Sequence, residues 1–372
     1  MAGLSNPAAW SGAYSQWSKL FRGIRLPYTS AGWSDGRRGS ARGMSQVIET
    51  AAEPSVGAPV GEISAAVIGR SPWELFWRRF RKDRVALVGL AFIVLEIALA
   101  IGSPLMASFV AHHGPNELHI NLTDDLGLPL VGPSGDYWFG VDKSGRDVFV
   151  RTIYGARTSL TVAFLATGLA VTVGIVLGTM AGFFGGWVDT IVSRAVDIVL
   201  SLPILLLAIG ISAACSITAE GCLGGLIQPG ISLVVAIIAL FSWPYIGRIV
   251  RGQVLSLREK EFIEAARAQG FTNAGIMFRE ILPNLAAPVI VYATLIIPSN
   301  ILFESALSFL GVGIPQSTPS WGRMISDAAQ GQLYTVAWWM LLFPGMALVF
   351  TTLAFNLVGD GLRDALDPRT GG

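Results

Sequence analysis

The residues in this 372-residue chain that could do covalent chemistry are scattered. Gly32-Trp33-Ser34-Asp35-Gly36 fits the Gly-x-Ser-x-Gly pattern of a hydrolytic nucleophile. That pattern works only on a strand-turn-helix elbow, and this copy lies in a Gly-, Ser-, Ala- and Arg-rich tail. There is no His-Glu-x-x-His and no paired Asp motif in an apolar segment, so no catalytic residues are assigned. The chain also lacks any Gly-Lys pair, and hence a P-loop to cradle nucleotide phosphates. His112, His113 and His119 share one polar loop. They could hold a metal, but the expectation is a solvated loop and no metal. Cys215 and Cys222 lack zinc-site spacing; in an oxidising exterior they could close a small disulfide loop, against the alternative of two independent thiols.

The elements that position these groups are apolar. The chain is 52% hydrophobic and 14% charged, against about a quarter charged in soluble domains, so water is not its only solvent. A net charge of +1 gives no global field for nucleic acid. Helical spanning needs roughly 20 apolar residues. Val85–Val110, Ser159–Phe184, Ile191–Ala214, Ile231–Ile249, Leu285–Leu310 and Ala337–Val358 qualify, predicting an all-α membrane protein of six transmembrane helices. Residues 111–158 then form an extracytoplasmic loop, 159–358 a core domain and 359–372 a tail. Residues 1–70 have a disordered composition, and Met44 could be the natural start.

Charge placement orients the spans. Residues 71–84 interleave aromatic and basic residues, as an interfacial helix does. Arg78, Arg79, Arg81, Lys82 and Arg84 before the first span, and Arg248 to Arg279 after the fourth, fall on one side. That side is predicted cytoplasmic, with both termini, in a cell membrane. Lys143, Arg146, Arg151 and Arg157 lie outside and run against the rule. Gly174, Gly178 and Gly182 recur every fourth residue and predict a close helix contact. Pro203, Pro244, Pro288 and Pro298 predict kinks. Among the costly intramembrane charges, Glu304 faces the pathway or a polar partner, with Ser299 and Asn300 beside it as further pathway candidates. Arg194 and Asp197 are expected to pair, and Glu96 to meet a neighbouring subunit.

The stretch between the fourth and fifth spans, 258–283, is the most informative. Arg258–Gln269 reads as a short helix with Phe262, Ile263 and Ala266 on one side and Glu264 paired to Arg267. Gly270 ends it, and Thr272 starts a second helix that stops before Pro283. Physically this is either a compact protrusion or an amphipathic loop resting on the membrane.

Glu264-Ala265-Ala266, then Gly270, then Ile281-Leu282-Pro283, resembles the EAA loop of ABC importer permeases. Phe139-Gly140-Val141-Asp142, Gly145-Arg146-Asp147, Tyr154-Gly155-Ala156-Arg157, Leu307-Ser308-Phe309-Leu310-Gly311 and Pro319-Ser320-Trp321-Gly322 are similar to segments of dipeptide/oligopeptide/nickel-type permeases, nearest the second ("C") subunit. The resemblance runs from about Ser71 to Pro368 and implies a type I importer permease fold with cytoplasmic coupling helices. It implies docking on partner ATPases through Glu264, Ala265, Ala266, Gly270, Ile281, Leu282 and Pro283. It further implies a second permease, two ATP-binding subunits that hold the ATP and Mg, an extracytoplasmic binding protein and a peptide cargo, with no cofactor on this chain. Nickel or another small solute is the alternative cargo, and a stand-alone secondary transporter the alternative class.

Overall fold

The computed structural model describes residues 72–124, 128–215, 221–222, 225 and 227–366. The Gly32–Gly36 motif, the Met44 start, the 1–70 tail and Asp367-Pro368 lie outside the described residues. Among the described residues the chain is helical, with no strand beyond isolated bridges.

Helix α1 (Pro72–Phe80) buries Phe76 and Phe80 against Ala365 near the chain's end, while Arg81 and Lys82 just past it stay in solvent. Arg81 stacks over exposed Trp77 at 5.0 Å, an aromatic-basic pairing suited to a headgroup layer. Asp83 then caps α2 (Arg84–Ile101), accepting from the Val85 and Ala86 amides. Short helical turns carry the chain on to Ala111, and His112, at φ 59°, ends the run.

Helix α3 (Val148–Phe184) begins well before the expected Ser159, so the first turns lie among residues assigned to the outer loop. Its length of about 55 Å exceeds a bilayer core of about 30 Å. It packs most extensively on α6 (Ile231–Leu257). The glycine ridge is the reason. A Cβ at Gly174 would lie 2.7 Å from Ile246 Cβ, one at Gly178 2.6 Å from the Gly247 carbonyl oxygen, and one at Gly182 2.7 Å from Val254 Cβ. Any side chain there would force the two backbones apart.

The expected third span is two helices, α4 (Gly186–Ser201) and α5 (Ile204–Cys215), bent by 89°. Pro203 pushes the preceding Leu202 into an extended conformation at φ −82°, ψ 145°. Beyond them come α6, α7 (Glu261–Ala268), α8 (Asn273–Phe309), α9 (Trp321–Ala329) and α10 (Trp339–Leu366). Among the described residues five helices are each long and apolar enough to cross a membrane, and the bent pair, taken as one span, makes six.

Packing fixes the direction of each crossing. Asp83 and Ala86 at the start of α2 lie against Gly361 near the end of α10, and Arg258 bonds the Gly182 carbonyl. These mark a proximal end. Arg151 reaches Pro115 and Gln316, and Gly230 lies against Pro315, marking a distal end. The chain leaves α3 at the proximal end and enters α6 at the distal end, so α4 and α5 together make one crossing.

Candidate functional site: a proximal hairpin and a central cavity

Helix α7 presents two faces. Ile263 and Ala266 are buried in a cluster with Val250, Val254, Ile276, Ile281 and Leu285, which roots the helix in the bundle. Glu264, Ala265 and Arg267 point to solvent, and Phe262 is also exposed, contrary to the expected Phe262-Ile263-Ala266 face. No ion pair joins Glu264 to Arg267 among the described residues.

Gly270, at φ 82°, closes the helix. Its amide bonds the Arg267 carbonyl and the Phe271 amide bonds the Ala266 carbonyl, the paired bonds of a Schellman turn. Thr272 then accepts from the Gly275 amide and starts the next helix. That helix does not stop before Pro283. A π-type turn over Met277–Ile281 leads straight into the span, and Pro283 follows a turn in which the regular bonding that a proline breaks is already interrupted. The protrusion is therefore one short helix joined by a tight turn to the extended foot of α8, and the foot is continuous with the membrane segment.

Of the seven positions assigned to this loop, Ala266 and Ile281 are buried, Leu282 is half-buried, and Glu264, Ala265, Gly270 and Pro283 are exposed. The first group anchors the hairpin and the second is free to meet another molecule. Phe278, 69% exposed on the same foot, went unnoticed in the sequence. An exposed aromatic between Met277 and Arg279, on a helix with an otherwise polar face, is the signal that marks it.

A second feature is a cavity of about 610 Å³ between α5, α6 and α8. Tyr245, Tyr292 and Phe303 line it with Ser242, Ser299 and Asn300, and no charged side chain is among its lining residues. Asn300 is fixed in place: its amide donates to Thr167 on α3 and its carbonyl oxygen accepts from Ser242 on α6, each at 2.8 Å. Ser299 is exposed into the cavity.

Glu304, the third pathway candidate, does not line this cavity. It is fully buried and accepts from Ser159 at 3.0 Å, Ser308 at 2.8 Å and Ser305 at 3.4 Å. Its place is a hydroxyl cage binding α3 to α8. Glu96, expected to meet a neighbouring subunit, accepts from Thr351 on α10 within the chain. Asp197 pairs with Arg248, 3.3 Å away, rather than with Arg194, and Asp189 takes a two-point bond from Arg251. Cys215 and Cys222 are joined by a disulfide.

At the distal end Arg146 and Arg151, two of the charges that opposed the orientation rule, are buried and paired and Lys143 is half-buried and paired, while Arg157 is exposed. Asp142 accepts from Arg146 at 2.7 Å and faces Arg151 at 3.6 Å; Asp327 faces Lys143 at 3.1 Å and Arg323 at 3.6 Å. Asp147 caps α3, and burial pushes its carboxyl up against the opposing bonds from the Val150 and Phe149 amides. The subfamily segments meet here. A Cβ at Gly155 would lie 3.0 Å from buried Trp321, whose indole donates to the Thr152 carbonyl.

A helical bundle with five or six candidate membrane crossings, a rooted proximal hairpin and a cavity between its helices defines an integral membrane protein. Comparison with known proteins gives the family. A model described as binding-protein-dependent transport system inner membrane component matches residues 174–372, and one described as the N-terminal TM domain of oligopeptide transport permease C matches residues 71–129. The dipeptide transport system permease protein DppC of Alkalihalophilus pseudofirmus is 42% identical over 318 residues, 85% of this chain and 95% of the relative. The glutathione transport system permease protein GsiD of Pectobacterium atrosepticum is 36% identical over 81% of this chain and 92% of its own length. Among solved structures, an inward-facing MetNI methionine ABC transporter aligns with a TM-score of 0.45 at 18% identity, covering 59% of this chain and 96% of that one. The chain belongs to the inner-membrane components of binding-protein-dependent transport systems, as an ABC importer permease subunit of the peptide-transporting kind.

Proposed function

We propose that this chain forms half of an ATP-driven pathway for di- or oligopeptides and takes its drive through the proximal hairpin. The observation that carries this reading is the continuity of the hairpin with α8. Met277–Ile281 runs without a break into the helix that supplies Tyr292, Ser299 and Asn300 to the cavity. A displacement of Glu264, Ala265 and Phe278 by a docked partner is thus delivered to the cavity wall through a rigid element rather than a loose loop.

The proximal end is then cytoplasmic, and ATPase subunits carrying ATP and Mg close on the exposed face of α7 and the α8 foot. A second permease covers the open side of the cavity, a binding protein delivers cargo at the distal end, and α1 lies on the headgroups. A cavity lined by aliphatic and aromatic side chains with the hydroxyls of Ser299, Tyr245 and Tyr292, and without charge, suits the apolar side chains of a peptide with a few hydrogen-bond partners for its backbone. The names of the dipeptide and glutathione relatives agree with that cargo. Glu304 holds α3 to α8 instead of touching cargo.

Site-directed crosslinking in membranes of the assembled complex tests the reading. Phe278→Cys should crosslink to an ATPase subunit, and Tyr292→Cys to the second permease or to a photoreactive peptide. Crosslinking of Phe278→Cys to lipid alone would defeat the docking assignment.

A further inference from the structure

The distal loop after α2 holds a cluster that belongs to neither the cavity nor the hairpin. His113, Glu117 and His119 offer one ligand atom each, all within 4.8 Å of one another. Two imidazoles and a carboxylate are the donor set of open zinc sites, in which water fills the remaining position. A tetrahedral ion with bonds of about 2.1 Å needs its ligands roughly 3.4 Å apart. His119 Nε2 already stands 3.7 Å from Glu117 Oε1, so side-chain rotation alone closes the set.

Three observations separate this cluster from a chance meeting of loop side chains. First, its backbone is fixed. Arg151, 1% exposed, donates to the Pro115 carbonyl at 3.0 Å and to Asn116 at 3.1 Å, and Asn116 in turn donates to the Ser317 carbonyl. Second, the ligands are oriented. One Glu117 oxygen accepts from the Gly114 amide at 2.8 Å, which leaves the other facing His119, and Tyr137 stacks flat on the His113 ring at 4.9 Å. Third, His119 Nε2 is shut off from solvent and has no hydrogen-bond partner, a cost that a bound cation removes. A cavity of about 440 Å³ lined by His113, Tyr137 and Asp147 opens beside the first of these ligands.

We infer that His113, Glu117 and His119 bind one divalent transition-metal ion of the zinc class at the distal face. The site shares no residue with the central cavity, so the ion is a fixture of the loop and not cargo. Bound there, it staples the exit of α2 to the segment that Arg151 and Ser317 already hold.

The test is zinc binding to the full-length chain in its complex, stripped with chelator and measured by equilibrium dialysis with metal analysis. One Zn²⁺ per chain is expected, with at least about tenfold weaker binding in His113→Ala and Glu117→Gln and no change in His112→Ala. Glu117→Gln keeps an acceptor for the Gly114 amide, so its loss of zinc cannot be ascribed to a collapsed loop. Absence of stoichiometric zinc in the parent complex, or wild-type affinity in a His113→Ala/His119→Ala double variant, would overturn the assignment.

Discussion

The two ends of this bundle handle charge in opposite ways. At the distal end Asp142, Arg146, Arg151 and Asp327 are almost wholly buried and face one another as ion pairs, and the indoles of Trp321 and Trp339 donate to the nearby Thr152 and Val141 carbonyls. At the proximal end Glu264, Arg267, Arg279 and their neighbours stand in solvent on a hairpin held only by its apolar inner face. The first arrangement makes a rigid lid from groups that are costly to separate. The second leaves a polar face with two exposed aromatics, Phe262 and Phe278, the composition on which the docking proposal rests. The difference also explains why counting basic residues misreads the distal loop: Lys143, Arg146 and Arg151 are matched by Asp142 and Asp327 within the fold, which leaves Arg157 as the exposed one of the four.

Substitutions should separate the two ends by size of effect. Asp142→Ala leaves Arg146 and Arg151 facing each other in a buried site, and a loss of about 3–5 kcal/mol is expected, read as a collapse of the thermal midpoint in detergent. Gly178→Val pushes a side chain into the Gly247 carbonyl oxygen. It should cost about 1–3 kcal/mol by the same assay and weaken both ends alike, since it splits the α3–α6 seam between them. Gly270→Ala places a Cβ at φ 82° with open space around it, so backbone strain alone is charged, about 1–2 kcal/mol and confined to the hairpin. Hydrogen exchange should show faster opening of Glu261–Ala268 and unchanged protection of α9. Arg248→Ala removes an ion pair whose partners are both more than half exposed, and the midpoint should move by less than about 1 kcal/mol.

Much of this architecture is legible in residue patterns that act locally. Apolar runs give the crossings, every-fourth glycines give a close helix contact on α3 though not its partner α6, and Gly270 and Thr272 give the turn, because each depends on chemistry within a few residues. What hides is set by partners far along the chain. Glu304 meets Ser159 across 145 residues and Glu96 meets Thr351 across 255, so no window of sequence shows either bond. The run past Pro283 is hidden for a different reason: a proline usually marks a helix boundary, yet here it follows a π-type turn that has already interrupted the regular bonding, and only the path of the preceding residues shows that turn. The 89° bend at Pro203 exceeds the kink expected there because Leu202 becomes fully extended.

The central claim is that the exposed face of the hairpin transmits drive while its buried face only anchors it. The most direct test is ATPase activity of the reconstituted complex, with and without loaded binding protein, for Glu264→Lys and Phe278→Asp beside Arg248→Ala. The account predicts that both hairpin variants assemble with unaltered thermal midpoints but lose stimulation by the loaded binding protein, while Arg248→Ala is stimulated like the parent. Full stimulation in Glu264→Lys and Phe278→Asp would contradict it.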